Sequence, residues 1–163
     1  MEIWKILNTW RRVYIQKGAL ITQIMKVNLD FIGNIGFNIH TRKFSLLSDE
    51  PLEFGGDDRG ISSVELLLAA IGSCAGTSLA HCLKKLDIQP EDIKVEVDGK
   101  ITHPEPGEPM RVVNIKVLVT YKLKAGYDPE FLETCLDKFK RYCVVTQSVI
   151  SGIPTVIEVA EMA

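Results

Sequence analysis

Four cysteines are the residues whose chemistry and spacing are most informative: Cys74, Cys82, Cys135 and Cys143. They form two pairs, and the two members of each pair are eight residues apart. Structural zinc sites usually place paired ligands two to four residues apart, so this spacing argues against a metal site. In a reducing compartment, paired cysteines tend to be catalytic or redox-active. The pattern therefore favours thiol chemistry without a metal.

The four cysteines differ in their sequence surroundings. Cys143 lies near the predicted start of a helix, and both this position and nearby cations lower a thiol pKa. The cations precede it within five residues: Lys138, Lys140 and Arg141. Cys74 lies in an apolar segment where burial raises a thiol pKa, so a charged group must reach it if it reacts. We interpret Cys82 and Cys135 as core residues, and burial at a helix junction is the alternative for Cys143.

The composition excludes several classes of function. The 163 residues are 46% hydrophobic and 25% charged, as in globular domains, and the net charge of -2 gives no basic excess for nucleic acid. Phosphate-loop and metalloprotease motifs are absent, so we predict no cofactor and no metal. The first 25 residues lack a signal peptide's features, and we expect no apolar stretch long enough to span a membrane. We therefore expect a cytoplasmic protein.

A long helix must position the first cysteine pair. Ser62 and Glu65 have the spacing of a capping box at its start. The following residues, 66–83, are apolar almost all round, which is typical of a buried helix. Gly72 and Gly76 each cost about 1 kcal/mol relative to alanine in a helix, so we expect another backbone or a partner helix to approach them closely.

Strands and a second helix complete the pattern. Alternating apolar residues from Met25 predict a meander of two or three strands, and two later runs predict a hairpin around a proline-rich loop at 102–109. Asp128, followed by a proline, begins a second helix. Residues 144–150 continue or restart it, and a last strand is predicted over 155–159. The order of elements predicts an α+β fold.

The first 24 residues differ from the rest. Apolar residues recur there at helical spacing beside Arg11 and Arg12, which predicts a short helix or a tail, with a targeting segment as a less favoured alternative. Met25 is an alternative natural start, because the β pattern begins there. We therefore divide the chain into an N-terminal extension, residues 1–24, and one domain, residues 25–163.

Two segments carry a resemblance to a known family. SSVELLLAAIGSCAGTSLAHCL resembles the central-helix signature of the OsmC/Ohr family of osmotically inducible and organic hydroperoxide resistance proteins, and YCVVTQSVISGIPTVI resembles its second signature. The preceding LEFGGDDRG is similar to the loop that leads into the central helix. The resemblance covers most of the chain from Met25 onward. It implies an intertwined homodimer in which curved antiparallel sheets wrap long central helices, with two sites at the subunit interface.

The resemblance also implies an activity. Cys74 would be the peroxidatic cysteine and Cys143 the resolving cysteine, and the two would form a disulfide. We therefore predict a cysteine-based peroxide reductase acting on organic hydroperoxides and restored by an external thiol such as a dihydrolipoyl group. The alternative is a non-enzymatic protein of the same fold, either a dimeric module for an apolar ligand or a redox sensor in which Cys74 is poorly activated.

Two further site residues follow from the resemblance with alternatives left open. Glu65 stands where one branch of the family carries its catalytic glutamate, and its capping role explains it equally well. The family's active-site arginine belongs in an N-terminal glycine-rich turn, but the matching turn around Gly33 and Asn34 holds none. Arg42 and Arg59 are the candidates to replace it, and their spacing selects neither.

Overall fold

A computed structural model describes residues 23–161, and this part of the chain folds into two antiparallel sheets and three α-helices. The predicted N-terminal extension, residues 1–24, lies almost entirely outside the described residues. The elements follow in this order: β1 (Asn28–Phe31), β2 (Phe37–Thr41), β3 (Phe44–Ser48), a short 3-10 helix (Leu52–Phe54), α1 (Ser63–Lys85), β4 (Pro90–Thr102), β5 (Arg111–Leu123), α2 (Pro129–Tyr142) and α3 (Val144–Ser151).

The two sheets are the predicted meander and hairpin. Strands β1, β2 and β3 pair in sequence order, and β4 pairs with β5. The turn between β1 and β2 contains Gly33 and Asn34 with φ values of 107° and 49°. Glycine and asparagine tolerate this left-handed region, which explains their place there. The predicted α+β fold with antiparallel sheets and a long helix is thereby confirmed.

Helix α1 begins at the predicted capping box. The Ser62 side chain accepts a hydrogen bond from the Glu65 backbone N–H, and the Glu65 carboxylate accepts one from the Ser62 backbone N–H at 2.8 Å. These reciprocal bonds satisfy two N–H groups that the first helical turn leaves unpaired. Lys84 and Lys85 lie in the last turn, where cations stabilise the helix dipole.

Strand β4 is the element that approaches the glycines of α1. A Cβ atom added at Gly72 would lie 2.8 Å from a side-chain atom of Val97, and one added at Gly76 would lie 3.1 Å from Val95. Larger residues would therefore push the sheet away from the helix. The close packing expected at the two glycines is present, and within this chain the element that packs against them is strand β4.

The core lies at the C-terminal end of α1, against α2 and β5. It is formed by buried residues of α1, α2 and the turn after α1: Leu79, Cys82, Leu83, Ile88 and Cys135. The opposite face of α1 carries small exposed residues, among them Ala69, Ser73 and Thr77. Helix α1 is therefore buried along one face within this chain, whereas the sequence predicted burial all round.

Two sequence predictions need correction, one about apolar segments long enough to span a membrane and one about the last strand. By length and composition, α1 would pass as a membrane span, so the expectation that no stretch reaches that length was wrong. In this fold α1 packs against β4, α2 and α3. The predicted last strand over 155–159 is not formed in the described chain, since residues 152–161 pair with no strand. Val156 and Val159 are accordingly 84% and 93% exposed.

Candidate active site

The structure brings Cys74 and Cys143 into contact. Cys74 lies in the middle of α1, and Cys143 lies at the junction where it ends α2 and begins α3. Their side chains interact, and this interaction lowers the pKa of Cys74 and raises that of Cys143, as expected when the Cys143 thiol is the donor. Both cysteines are free, Cys143 is buried, and Cys74 is partly exposed. A pair of adjacent free thiols, one of them on a partly exposed residue, is suited to attack on a small electrophile.

The start of α3 points at Cys74. The Val145 backbone N–H, in the first turn of α3, donates a hydrogen bond to the Cys74 sulfur at 3.4 Å. N–H groups in a first helical turn have no intrahelical acceptor and carry partial positive charge, so they stabilise a thiolate. Burial raises the pKa of Cys74, but hydrogen bonds from Cys143, Val145, Ser78 and Thr146 outweigh burial, and its pKa is lowered.

The pKa of Cys143 moves in the opposite direction. Burial and the hydrogen bond it donates to Cys74 raise its pKa, and hydrogen bonding to Thr146 offsets only part of the rise. The Thr146 hydroxyl lies 2.8 Å from the Cys143 sulfur. The sequence argument from three nearby cations predicted a lowered pKa and was wrong. Cys143 is 2% exposed and faces Cys74, so burial governs its pKa.

Glu65 does not meet Cys74 within one chain. It precedes Cys74 by nine residues on α1, which is about 13.5 Å along a helix axis. Its carboxylate accepts hydrogen bonds of 2.8 Å from both the backbone N–H and the hydroxyl of Ser62. These bonds lower its pKa, with burial opposing them. The structure thus shows the capping role of Glu65 directly.

Arg42 lies on the turn between β2 and β3. Its backbone has a φ of 52°, and its guanidinium carbon lies 5.1 Å above the ring centroid of Phe44. This is a cation–π contact at the surface. Nothing in the described chain brings Arg42 to the cysteines.

Arg59 is held by acidic residues of its own loop. Its guanidinium lies 3.1 Å from the carboxylate of Asp49 and 3.3 Å from that of Asp57, and it also donates a 3.5 Å hydrogen bond to the Gly33 carbonyl. Asp49 is 1% exposed; burial raises its pKa, but Arg59 and backbone N–H groups lower it further than burial raises it. Arg59 therefore reaches the glycine-rich turn that was expected to carry an arginine.

The other two cysteines, one from each sequence pair, are bonded to each other, which the sequence interpretation missed. Cys82 of α1 and Cys135 of α2 form a disulfide with their Cα atoms 5.9 Å apart. Both are buried core residues, at 2% and 1% exposure, as predicted. The disulfide therefore joins α1 to α2 covalently, and the free Cys74 and Cys143 thiols lie next to each other elsewhere on the same helix assembly.

An apolar cavity of about 520 Å³ opens beside Cys143 between α1, β5, α2 and α3. Its walls include Leu79, Val119, Tyr121, Phe139 and Thr146. Such walls suit an alkyl group better than a charged ligand. Within the described residues, no cluster of three or more His, Cys, Asp or Glu side chains has the arrangement of a metal site.

Comparisons with known proteins identify the family and the fold. Residues 55–158 match the family model of OsmC-like proteins. The structure of a hypothetical protein from Aquifex aeolicus VF5 is similar, with 25% identity, a TM-score of 0.62, and coverage of 80% of this chain and 89% of that chain. An OsmC-like protein of unknown function from Vibrio cholerae gives 10% identity, a TM-score of 0.65, and coverage of 78% and 94%.

A third similar structure carries a functional name. It is an organic hydroperoxide resistance protein, OsmC, from Legionella pneumophila, with 17% identity, a TM-score of 0.56, and coverage of 80% of this chain and 90% of that chain. At these identities the likeness establishes the shared fold. No curated protein sequence matches the chain.

Proposed function

The chain belongs to the family of OsmC-like proteins, and we propose that it is a homodimeric thiol peroxidase that reduces organic hydroperoxides. The observation that carries this proposal is the contact between Cys74 and Cys143, two free thiols whose pKa values shift in opposite directions. A lowered pKa suits an attacking thiol, and a raised pKa keeps its neighbour protonated until it is needed.

The proposed cycle has three steps. The Cys74 thiolate attacks the distal peroxide oxygen; the O–O bond breaks, and after uptake of one proton the products are an alcohol and a sulfenic acid on Cys74. Cys143 then attacks the Cys74 sulfur, and the hydroxyl group leaves with the Cys143 proton as water, forming the Cys74–Cys143 disulfide. An external dithiol, such as a dihydrolipoyl group, reduces this disulfide to two thiols and is itself oxidised to a disulfide.

The apolar cavity supports an organic substrate. It lies beside Cys143 and offers aliphatic and aromatic walls to an alkyl chain, whereas hydrogen peroxide gains nothing from them. We therefore propose a preference for alkyl hydroperoxides over hydrogen peroxide. The proposed place of action is the cytoplasm, where dithiol reductants keep the cycle running.

The exposed surfaces support the homodimer. Small residues along one face of α1 leave an open groove against β4, and the segment 152–161, which belongs to no helix or strand, carries exposed valines and isoleucines. A second copy would cover both. Because Glu65 is about 13.5 Å along the helix from Cys74 of its own chain, a catalytic role for Glu65 is possible only across such a subunit interface.

A redox sensor or an apolar-ligand module is the alternative. It is favoured by one observation, that Arg42 contacts Phe44 and Arg59 contacts Asp49 and Asp57, so neither arginine stabilises Cys74 within the chain. A sensor would be oxidised by peroxide and persist as a disulfide, whereas an enzyme would turn over when a dithiol is supplied.

The test compares Cys74→Ser and Cys143→Ser with wild type. Single-turnover mixing with tert-butyl hydroperoxide should oxidise wild type and Cys143→Ser quickly, and only Cys143→Ser should accumulate a sulfenic acid that dimedone traps. Cys74→Ser should not be oxidised at this site. With dihydrolipoamide, wild type should consume peroxide through many turnovers, and neither Cys74→Ser nor Cys143→Ser should do so.

The double variant Cys82→Ser/Cys135→Ser is the control, because it keeps Cys74 and Cys143 and leaves no other thiol to be oxidised; thermal unfolding checks that it is folded without the disulfide. It should retain multiple turnovers. Fast oxidation of Cys74→Ser together with an inert Cys143→Ser would reverse the proposed roles. Oxidation without turnover in every reductant would favour the sensor.

A further inference from the structure

We propose that Thr146 is the positioning residue of the resolving step: its hydroxyl group aims the Cys143 proton at Cys74 and then stabilises the Cys143 thiolate. This inference rests on the proposed peroxidase function. It assigns to Thr146 a task in the second chemical step that neither cysteine can perform for itself.

The geometry begins with the position of Thr146 in α3. Cys143 is the residue that caps the start of α3, and Thr146 follows three residues later, about one helical turn further. Its hydroxyl oxygen lies 2.8 Å from the Cys143 sulfur. Both residues line the same apolar cavity, so the contact lies in the wall of the proposed substrate cavity.

The direction of the hydrogen bonds follows from the number of protons. A thiol has one proton, and the opposite pKa shifts of the two cysteines are those expected when Cys143 directs its proton to the Cys74 sulfur. Either atom could donate in the 2.8 Å contact between Cys143 and Thr146, and with the Cys143 proton directed to Cys74 we assign the donor role to the Thr146 hydroxyl. The result is a chain in which Thr146 donates to Cys143 and Cys143 donates to Cys74.

This chain changes state when Cys74 is oxidised. The Cys74 sulfur then carries a hydroxyl group, and Cys143 must lose its proton to become the nucleophile. The Thr146 hydroxyl already points at the Cys143 sulfur, so it stabilises the thiolate without rearranging. Cys143 forms the S–S bond, the Cys74 S–O bond breaks, and the leaving hydroxyl takes the Cys143 proton as water. The contribution of Thr146 to lowering the raised pKa of Cys143 agrees with this task.

The test separates the two chemical steps in Thr146→Val and Thr146→Ser. Valine keeps the branched shape and removes the hydroxyl, and serine restores it. In Thr146→Val, oxidation of Cys74 should stay within about twofold of wild type, whereas disulfide formation should slow about tenfold to a hundredfold, the range for losing a hydrogen bond to a charged group. The pH midpoint of disulfide formation should rise, and Thr146→Ser should return both values toward wild type.

The control is Thr120→Val, which removes an exposed hydroxyl from β5 and should change neither step. Thermal unfolding of each variant reports its folding. The proposal is overturned if Thr146→Val resolves at the wild-type rate with the wild-type pH profile, or if it slows both steps equally. Failure of the proposed function gives a different result. Cys74 of the wild type would then not be oxidised by the peroxide at all, and the proposed role of Thr146 would be refuted as well.

Discussion

Breaking the Cys82–Cys135 disulfide should lower the free energy of unfolding by about 4 kcal/mol, according to the chain-entropy relation for a loop of this length. The two cysteines are 53 residues apart in sequence. A bond between them excludes from the unfolded ensemble every conformation in which these residues are far apart. Because both side chains are buried in the core between α1 and α2, the reduced thiols should keep most of the native packing. Unfolded-state entropy is therefore expected to dominate the change.

The assay needs a background in which only this bond responds to reductant. The double variant Cys74→Ser/Cys143→Ser provides it, since those are the other two cysteines of the chain. One sample is unfolded and refolded with a phosphine reductant and the other without it. Urea unfolding of both samples is followed at the same protein concentration, because the stability of a dimer depends on protein concentration. A difference below about 1 kcal/mol, well under the loop estimate, would refute the cross-link as a constraint on the unfolded chain.

Two further predictions concern acid and packing. The pKa values of Glu65 and Asp49 are lowered from their ordinary values of 4.5 and 3.8. The stability that the two carboxylates contribute should therefore be complete above those values and should be lost as the pH falls through their folded-state pKa values. Urea unfolding across acidic pH checks this, and a free energy of unfolding that stays constant down to pH 2 would contradict it. Gly72→Ala should destabilise the fold by about 1–3 kcal/mol through its clash with Val97, despite better helix propensity, and Gly76→Ala should cost less in the same thermal-unfolding comparison.

Much of the fold was predictable because local signals and tertiary structure agree. The capping box at Ser62 and Glu65 begins α1 where predicted, and the left-handed turn at Gly33 and Asn34 lies between two strands. Both signals depend on backbone hydrogen bonds or φ values within a few residues. The segment 155–159 has an equally good strand pattern, but a strand also needs a neighbouring backbone, and the described chain supplies none.

The Cys82–Cys135 disulfide was missed although the sequence contains a signal for it. Cys82 follows Cys74 by eight residues, and Cys135 precedes Cys143 by eight. If the two segments run antiparallel and Cys74 meets Cys143, then Cys82 and Cys135 meet about two helical turns away. Periodicity alone places Cys82 and Cys135 in the core but does not state which helices face each other. The pairing could be read only after α1 and α2 were known to be neighbours.

Which cysteine of the reactive pair has the lowered pKa could not be predicted from local sequence either, because this also depends on which helices are neighbours. The cations before Cys143 are close in sequence, and they favoured it as the thiolate; in the fold its sulfur is buried and donates to Cys74. The group that reaches Cys74 is the Val145 N–H, 71 residues away along the chain. A helix start needs no charged side chain to stabilise an anion. Although the Gly33 turn holds no arginine, Cys74 still has a source of positive potential, namely the N-terminus of α3.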